Sequence, residues 1–236
     1  MAGDSRHKFR FEVKYLVPLS VKVAVMHDVA AMTRVDPHAA GGSYLVRSLY
    51  LDSLFNASYH EKMAGILRRS KFRIRTYGRT SSVRFLEIKE RLSNRILKRK
   101  DRIDQQQYED ILNRRVARID GSAVMREFWR RLATTQVAPL LTIEYRRQPF
   151  VGIADESLRV TFDTDVCVRR ARSLEQGNMR YTVLPNRLTV LEIKFDRYMP
   201  HWIQTIVRKF SLRDTAYSKF CLGLDELARR GVIHVG

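Results

Sequence analysis

Cysteine is nearly absent. Only Cys167 and Cys221 occur in 236 residues, and they lack metal-ligand spacing. That excludes a disulfide-stapled scaffold and a cysteine zinc site, and it suits a reducing cytoplasm, the expected location. The six histidines are scattered and no pair has zinc spacing. No apolar run reaches the roughly 18–20 residues that span a bilayer. The opening Met-Ala-Gly-Asp-Ser-Arg-His-Lys has no apolar h-region, so no secretory signal is expected. No solenoid-length repeat and no low-complexity tract interrupts the chain. Acid is also scarce: 25 Asp and Glu stand against 44 Lys and Arg, a formal charge of +19. An excess of that size implies a polyanionic partner, namely nucleic acid, an anionic membrane surface or a phosphate chain.

What is present is 44% hydrophobic and 29% charged, a globular balance. The length and the lack of a linker are read as a single domain over residues 1–236. The basic residues are not gathered in a tail. They alternate with apolar ones, as in Arg10-Phe11-Glu12-Val13-Lys14, Lys71-Phe72-Arg73-Ile74-Arg75, Leu86-Glu87-Ile88-Lys89 and Leu191-Glu192-Ile193-Lys194. A period of two is that of a β-strand, whose successive side chains point to opposite faces. Strands are expected over 8–16, 43–52, 69–78, 83–91, 95–103, 139–148, 157–163, 165–171, 180–184 and 188–196. Turns are expected at Gly78 with Thr80-Ser81-Ser82, and at Ser93-Asn94. Helices are expected over 20–34, with Ser20 as N-cap, and over 54–63, 105–114, 122–134, Pro200 to Phe210, and 217–230. Leu112, Val116 and Ile119 sit near helical spacing. Trp129 and Trp202 fall in helix-like stretches and read as core.

One face of each strand is oily and the other charged. Glu144 with Arg146, and Arg159 with Thr161 and Asp163, are read as sharing the charged side, with Ile143 and Tyr145 opposite. The amphipathic helices need the oily face to cover. Helices outside and charge inside describe an α+β fold: an antiparallel β-barrel tunnel of about eight strands around a charged lumen. Buried like charges repel, so such a lining needs compensation. Glutamates supply part, and Glu87 and Glu144 are read as salt-bridge partners holding the cations in register. A polyanion supplies the rest. Arginine binds phosphate through a planar fork, and lysine is a point charge. Carboxylate oxygens together with phosphate oxygens suit Mg²⁺ or Mn²⁺. Tyr50, Tyr77 and Tyr145 are readable as phosphate hydrogen-bond donors or as packing.

These segments resemble the VTC domain, the polyphosphate-polymerase branch of the triphosphate tunnel metalloenzymes. The matching stretches are Arg10 to Tyr15, Arg47 to Asp52, Lys71 to Gly78, Phe85 to Lys89, Ile143 to Arg147, Arg159 to Asp163, Val190 to Lys194 and Ser218 to Phe220, in the family's order. The resemblance implies transfer of the ATP γ-phosphate to phosphate or a growing polyphosphate chain, with a divalent metal, Mn²⁺ or Mg²⁺, as cofactor. Carried over by motif, Arg73, Arg75, Lys89, Arg146, Arg159 and Lys194 act on the transferring phosphates. Lys14, Lys71, Ser218 and Lys219 bind phosphate. Lys98 and Lys100 both match the basic strand that follows, and alternation does not separate them. Glu192 is the metal carboxylate and Glu12 a second candidate. The related triphosphatase and cyclase branch opens with Glu-x-Glu-x-Lys. Here those slots read Arg10, Glu12 and Lys14, a departure that favours the polymerase branch.

Three rival readings compete with it. The same fold could hydrolyse tripolyphosphate or a nucleoside triphosphate. It could bind polyphosphate or an inositol phosphate without turnover. A nucleic-acid binder would need exposed aromatics beside the basic strips, and Tyr and Phe mostly alternate away from the cations. Ser218 lacks a nearby histidine and is not read as a nucleophile. A separate membrane-protein partner is compatible with the resemblance, and no residue displays one.

Overall fold

The computed structural model describes residues 9–39, 41–78, 82–115, 121–176 and 179–235. The expected turn at Thr80-Ser81 and the positions Val116 and Ile119 lie outside the described residues.

The chain runs β1 (Arg10–Pro18), α1 (Leu19–Ala30), β2 (Thr33–Val35), β3 (Tyr44–Asp52), α2 (Ala57–Met63), β4 (Arg68–Tyr77), β5 (Arg84–Leu92) and β6 (Arg95–Ile103). It continues through α3 (Gln105–Leu112), α4 (Ala123–Thr135), β7 (Ala138–Gly152), β8 (Arg159–Arg170), β9 (Tyr181–Thr182), β10 (Leu188–Phe195), α5 (His201–Lys209) and α6 (Lys219–Arg229). All pairings are antiparallel. The order β7-β3-β4-β5-β6-β1-β10-β8 closes because β8 pairs back onto β7. Eight strands thus form a barrel, with β2 appended to β7 and β9 to β8. Closure removes the exposed edges an open sheet would carry.

The oily faces are covered as the amphipathic pattern requires. Leu49, Leu51, Phe72, Ile74, Leu86 and Ile88 pack under Tyr108, Ile111, Phe128 and Trp129 of α3 and α4. Tyr15, Val17, Leu191, Ile193 and Phe195 pack under Val25, Val29, Ile203 and Ile206 of α1 and α5, with Trp202 partly buried beside them. Helix starts follow local chemistry. Asp104 and Gln107 form a reciprocal capping box on α3, and the Ser122 and Ser218 side chains cap α4 and α6. On α1 the expected cap moves from Ser20 to Pro18, which has no side-chain acceptor.

An expectation about the strands changes. The segments 157–163 and 165–171 are one strand, β8, with a register shift opposite Glu144 to Arg146. Asp165 sits there at φ 54°, an extra residue that turns the following side chains over. Asp163 and, beyond the bulge, Val166 and Val168 then face the same way, inward.

The third apolar cluster lies at one end of the barrel. There α6 rests on the inward side chains Ile143 and Val168, with Tyr50, Tyr145, Tyr217 and Phe220 packed around it. Gly223 makes the approach feasible: a Cβ there would meet Ile143 Cδ1 at 2.6 Å and Val168 Cγ2 at 3.1 Å. Both cysteines are free, Cys221 buried in this packing and Cys167 on the other side of β8.

Candidate functional site: the charged lumen

The barrel encloses a cavity of about 460 Å³, within the usual range for small-molecule sites. Alternation aims β1, β4, β5, β7 and β10 into it. Glu12, Lys14, Lys71, Arg73, Arg75, Lys89, Arg147, Glu192 and Lys194 line its wall, and Ser218 and Lys219 enter from the start of α6. In all, eleven Lys or Arg and three Asp or Glu line the space.

Buried carboxylates hold the cations apart. Glu87 on β5 is fully buried and receives Arg73 Nε at 2.7 Å on one oxygen and Lys98 Nζ at 2.6 Å on the other, with Arg75 3.6 Å away. Asp163 on β8 accepts two bonds from Arg147, 2.6 Å from Nε and 2.7 Å from Nη2, and one from Lys219 at 2.6 Å. Glu12 bonds Lys14 and accepts from Lys89 at 2.9 Å. Glu192 is paired with Lys194, with Arg147 3.7 Å off. Lys14 is 3.9 Å from Glu192 and Lys194 is 3.8 Å from Glu12, so the two carboxylates share both lysines.

Electrostatics keep these groups charged. Burial alone would raise the carboxyls of Glu87 and Glu192; their cations hold both well below the usual range. Burial and the neighbouring Arg73 work against the charge on Arg75, and Glu87 and Tyr145 hold it up. Lys14 is likewise held at about 12: burial opposes the charge, and Glu12 and Glu192 outweigh it. Lys89 and Lys98 behave oppositely, because burial pushes each down to about 7 despite Glu12 and Glu87. Aromatic groups assist. Arg73 Nη1 donates to Tyr50 OH at 3.0 Å, and Arg75 donates to Ser48 Oγ at 3.0 Å and Tyr145 OH at 3.3 Å. Lys71 lies 4.4 Å from the Phe220 ring centroid.

The opposite end of the balance is at the α2 side. Among the described residues no carboxylate comes within salt-bridge reach of Lys62, Arg69, Lys71 or Arg91, all of which line the cavity. Among the described residues the hydrogen-bond partners of Lys71 are Ser218 Oγ and Cys221 Sγ, each at 3.5 Å. This is where the lumen is short of negative charge.

Most of the sequence-derived residues meet here, and four do not: Arg146, Glu144, Arg159 and Lys100. Arg146 lies on the outer wall, half exposed, 3.9 Å from Asp165. Glu144 is outside too, bound by Arg47 at 3.0 Å, Arg169 at 2.9 Å and Arg180 at 3.0 Å. The inward residues of β7 are Tyr145 and Arg147, the reverse of the expected face, since α6 supplies an apolar cover on the inside at that end. Arg159 shares a register pair with Lys194 but bonds the carbonyls of Glu156 and Leu158, away from the cavity lining. Lys98 is tied to Glu87, whereas Lys100 is exposed over the Phe85 ring, 4.9 Å from its centroid. Sequence reasoning missed Arg147; its adjacency to Arg146 left only the bonding partner, Asp163, to tell them apart. It also missed Lys62, Arg69 and Arg91. The expectation that aromatics avoid the cations is corrected as well: Tyr50 and Tyr145 stand in the lumen. They are 7% and 2% exposed, and so offer no stacking platform to a nucleic acid.

For a metal, the donor set is small. Among the described residues no group of three or more His, Cys, Asp or Glu is gathered to hold one. Glu12 and Glu192 are two charged, hard-oxygen donors facing one space. That set fits an ion such as Mg²⁺ or Mn²⁺, which takes one or two carboxylates and completes its shell with substrate phosphate and water.

The profile of the VTC domain family matches residues 9–228. Among solved structures, a candidate adenylate cyclase from Bacillus halodurans superposes with a TM-score of 0.56 at 15% identity, covering 89% of this chain and 94% of that one. A candidate adenylyl cyclase from Hippeastrum, described as having a dominant triphosphatase activity, gives 0.53 at 13% identity and covers 96% and 97%. At such identities the likeness is one of fold. No curated protein sequence matches the chain.

Proposed function

We propose, from the premise that the chain belongs to the VTC domain family, that it is a polyphosphate polymerase-like phosphotransferase that moves the ATP γ-phosphate onto phosphate or a polyphosphate end. The observation that carries this reading is the stretch of Lys62, Arg69, Lys71 and Arg91, which has no carboxylate within salt-bridge reach among the described residues and is continuous with Arg73 and Arg75 along one lumen. A row of cations of that length matches a chain of phosphates better than a single anion.

The chemistry asked of the residues is positioning and charge neutralisation, which dominate phosphoryl transfer. Arg73 and Arg75 grip the triphosphate in the held geometry set by Glu87, Ser48 and Tyr145. Lys89, Lys194 and Lys14 release part of their hold on Glu12 and Glu192 and turn to phosphate oxygens. Lys71, Ser218 and Lys219 hold the acceptor side. The bond from the γ-phosphorus to the bridging oxygen breaks, ADP departs with that electron pair, and an acceptor phosphate oxygen forms the new P–O bond. Glu192 and Glu12 would hold the divalent ion, which when bound neutralises phosphate charge. No side chain is asked to form a covalent intermediate.

A second reading, hydrolysis of tripolyphosphate or a nucleoside triphosphate, is favoured by the paired Glu12 and Glu192, two carboxylates beside the phosphate row where a water could be oriented. Product analysis separates them. Purified protein with ATP, Mn²⁺ or Mg²⁺ and a short polyphosphate primer should yield long chains and ADP. Free phosphate alone would support the hydrolase, and binding with ATP left intact would reduce the protein to a polyphosphate-holding module.

A further inference from the structure

Beside the α2 side of the lumen the surface is apolar where a soluble face would be polar. Met63, Ala64, Gly65, Ile66 and Leu67 are exposed in an unbroken run, with Met63 at 60%, Ile66 at 47% and Leu67 at 68%. The run is a tight turn: Gly65 is at φ 68° and its N–H bonds Lys62 O, while Ile66 N–H bonds Glu61 O. The β5–β6 hairpin lies alongside, with Ser93 N–H on Leu67 O at 3.0 Å and Leu92, 51% exposed, paired with Arg68. At the other end of the short α2 stand Leu54 and Phe55, 62% and 84% exposed.

Cations bracket these side chains. Lys62 precedes the run and Arg68 and Arg69 follow it, and Arg91 and Arg95 flank Leu92 across the hairpin. Glu61 is the acid in the same turn. Lys62, Arg69 and Arg91 also line the cavity, so this rim adjoins the lumen. Exposed apolar side chains ringed by Lys and Arg combine the two attractions of an interfacial membrane anchor: burial of apolar groups at the acyl boundary and attraction to anionic headgroups. A protein groove would complement the apolar part but gives no reason for five cations around it.

We propose that the turn 63–67 and the Leu92 hairpin tip form a membrane-docking surface that seats the rim of the lumen on an anionic lipid bilayer. Ile66, Leu67, Met63 and Leu92 enter the interface, and Arg68 and Arg95 meet the headgroups. No helix among the described residues is long and apolar enough to cross a membrane, so this contact is peripheral. It does not depend on which phosphate chemistry the lumen performs.

The test is flotation of the purified full chain with phosphatidylcholine vesicles, with and without phosphatidylserine. The chain should float with the anionic vesicles and stay behind with the neutral ones, and added salt should weaken binding. The double variant Ile66→Ser/Leu67→Ser keeps the net charge of the chain. It should bind roughly tenfold more weakly or worse, whereas binding driven by bulk charge alone would be unchanged. Arg68→Glu/Arg95→Glu should also lose binding. All four residues are exposed, and thermal melts confirm that the variants fold. A Leu67→Trp variant should be quenched by brominated acyl chains beyond the level of the native tryptophans. Failure of the wild-type chain to float with anionic vesicles would overturn the proposal. So would floating of the serine variant equal to wild type. Either result would leave the apolar turn to a protein partner.

Discussion

Arg147 and Asp163 meet across β7 and β8 through two parallel hydrogen bonds of 2.6 and 2.7 Å, and Lys219 of α6 completes the set at 2.6 Å. One buried carboxylate thereby ties the barrel wall to the helix that covers its end. Arg147 is also 3.7 Å from Glu192, so the pair links the structural closure to the candidate metal carboxylates.

Removing this arginine has a definite expected cost. Arg147→Ala leaves Asp163 buried with one partner fewer, and loss of one partner from a buried pair typically costs about 3–5 kcal/mol. Arg146→Ala, on the exposed outer wall, should change stability by less than about 0.5 kcal/mol. Urea titrations of the two variants decide it. Equal destabilisation would mean that β7 does not present Arg147 inward.

Glu87 stands between Arg73, Arg75 and Lys98, so Glu87→Gln should leave those charges to repel one another. The variant should melt at a lower temperature. Tripolyphosphate should restore it more than it stabilises wild type, since the ligand supplies the missing negative charge. A ligand-induced shift in melting temperature no larger than that of wild type would contradict a phosphate site beside these arginines.

Protons report on the same contacts. Burial holds Lys89 and Lys98 near 7 against an ordinary lysine value of 10.5. Between those values the unfolded chain binds more protons than the folded one, so the contribution of these groups to stability rises as pH increases from about 7 towards 10.5. A bound phosphate chain favours the charged amines and reverses the balance. Binding of tripolyphosphate at about pH 8 should therefore take up protons, and uptake should fade towards about pH 6. Calorimetry in buffers of different ionisation enthalpy measures it, and identical apparent enthalpies would count against these lysines as ligands.

The reaction itself should depend on Arg75 and Glu192. Arg75→Ala is expected to cost about 2–4 kcal/mol of transition-state stabilisation, by analogy with the loss of a preorganised oxyanion donor. Glu192→Ala should raise the concentration of Mn²⁺ or Mg²⁺ needed for half-maximal rate. If both proteins made product at the wild-type rate and metal requirement, the lumen would not be the reaction site.

Much of this was written in the alternation. Phe11, Val13, Phe72, Ile74, Leu86, Ile88, Leu191 and Ile193 marked the outer face of four strands, and Glu12, Lys14, Arg73, Arg75, Glu87, Lys89, Glu192 and Lys194 the inner. There one face is purely apolar, so the period leaves no ambiguity. On β7 it does. Ile143, Tyr145 and Arg147 alternate with Thr142, Glu144 and Arg146, and neither set is purely oily. The inner face is apolar at one end only because α6 covers it from inside, a contact between residues some 80 positions apart in sequence.

The sequence by itself therefore determined most of the strands, the closed charged lumen and the acids and bases that β1, β4, β5 and β10 turn into it, because side-chain direction in a strand is a local property. Only the tertiary structure decided how those charges divide. Closure of β7 on β8 put Arg147 rather than Arg146 on Asp163. The packing of α6 brought Ser218 and Lys219 to the lumen. The meeting of α2 with β4 and β5 left Lys62, Arg69, Lys71 and Arg91 with no carboxylate of the described residues in salt-bridge reach. Pairing and burial depend on distances between strands, and those are set when the barrel closes.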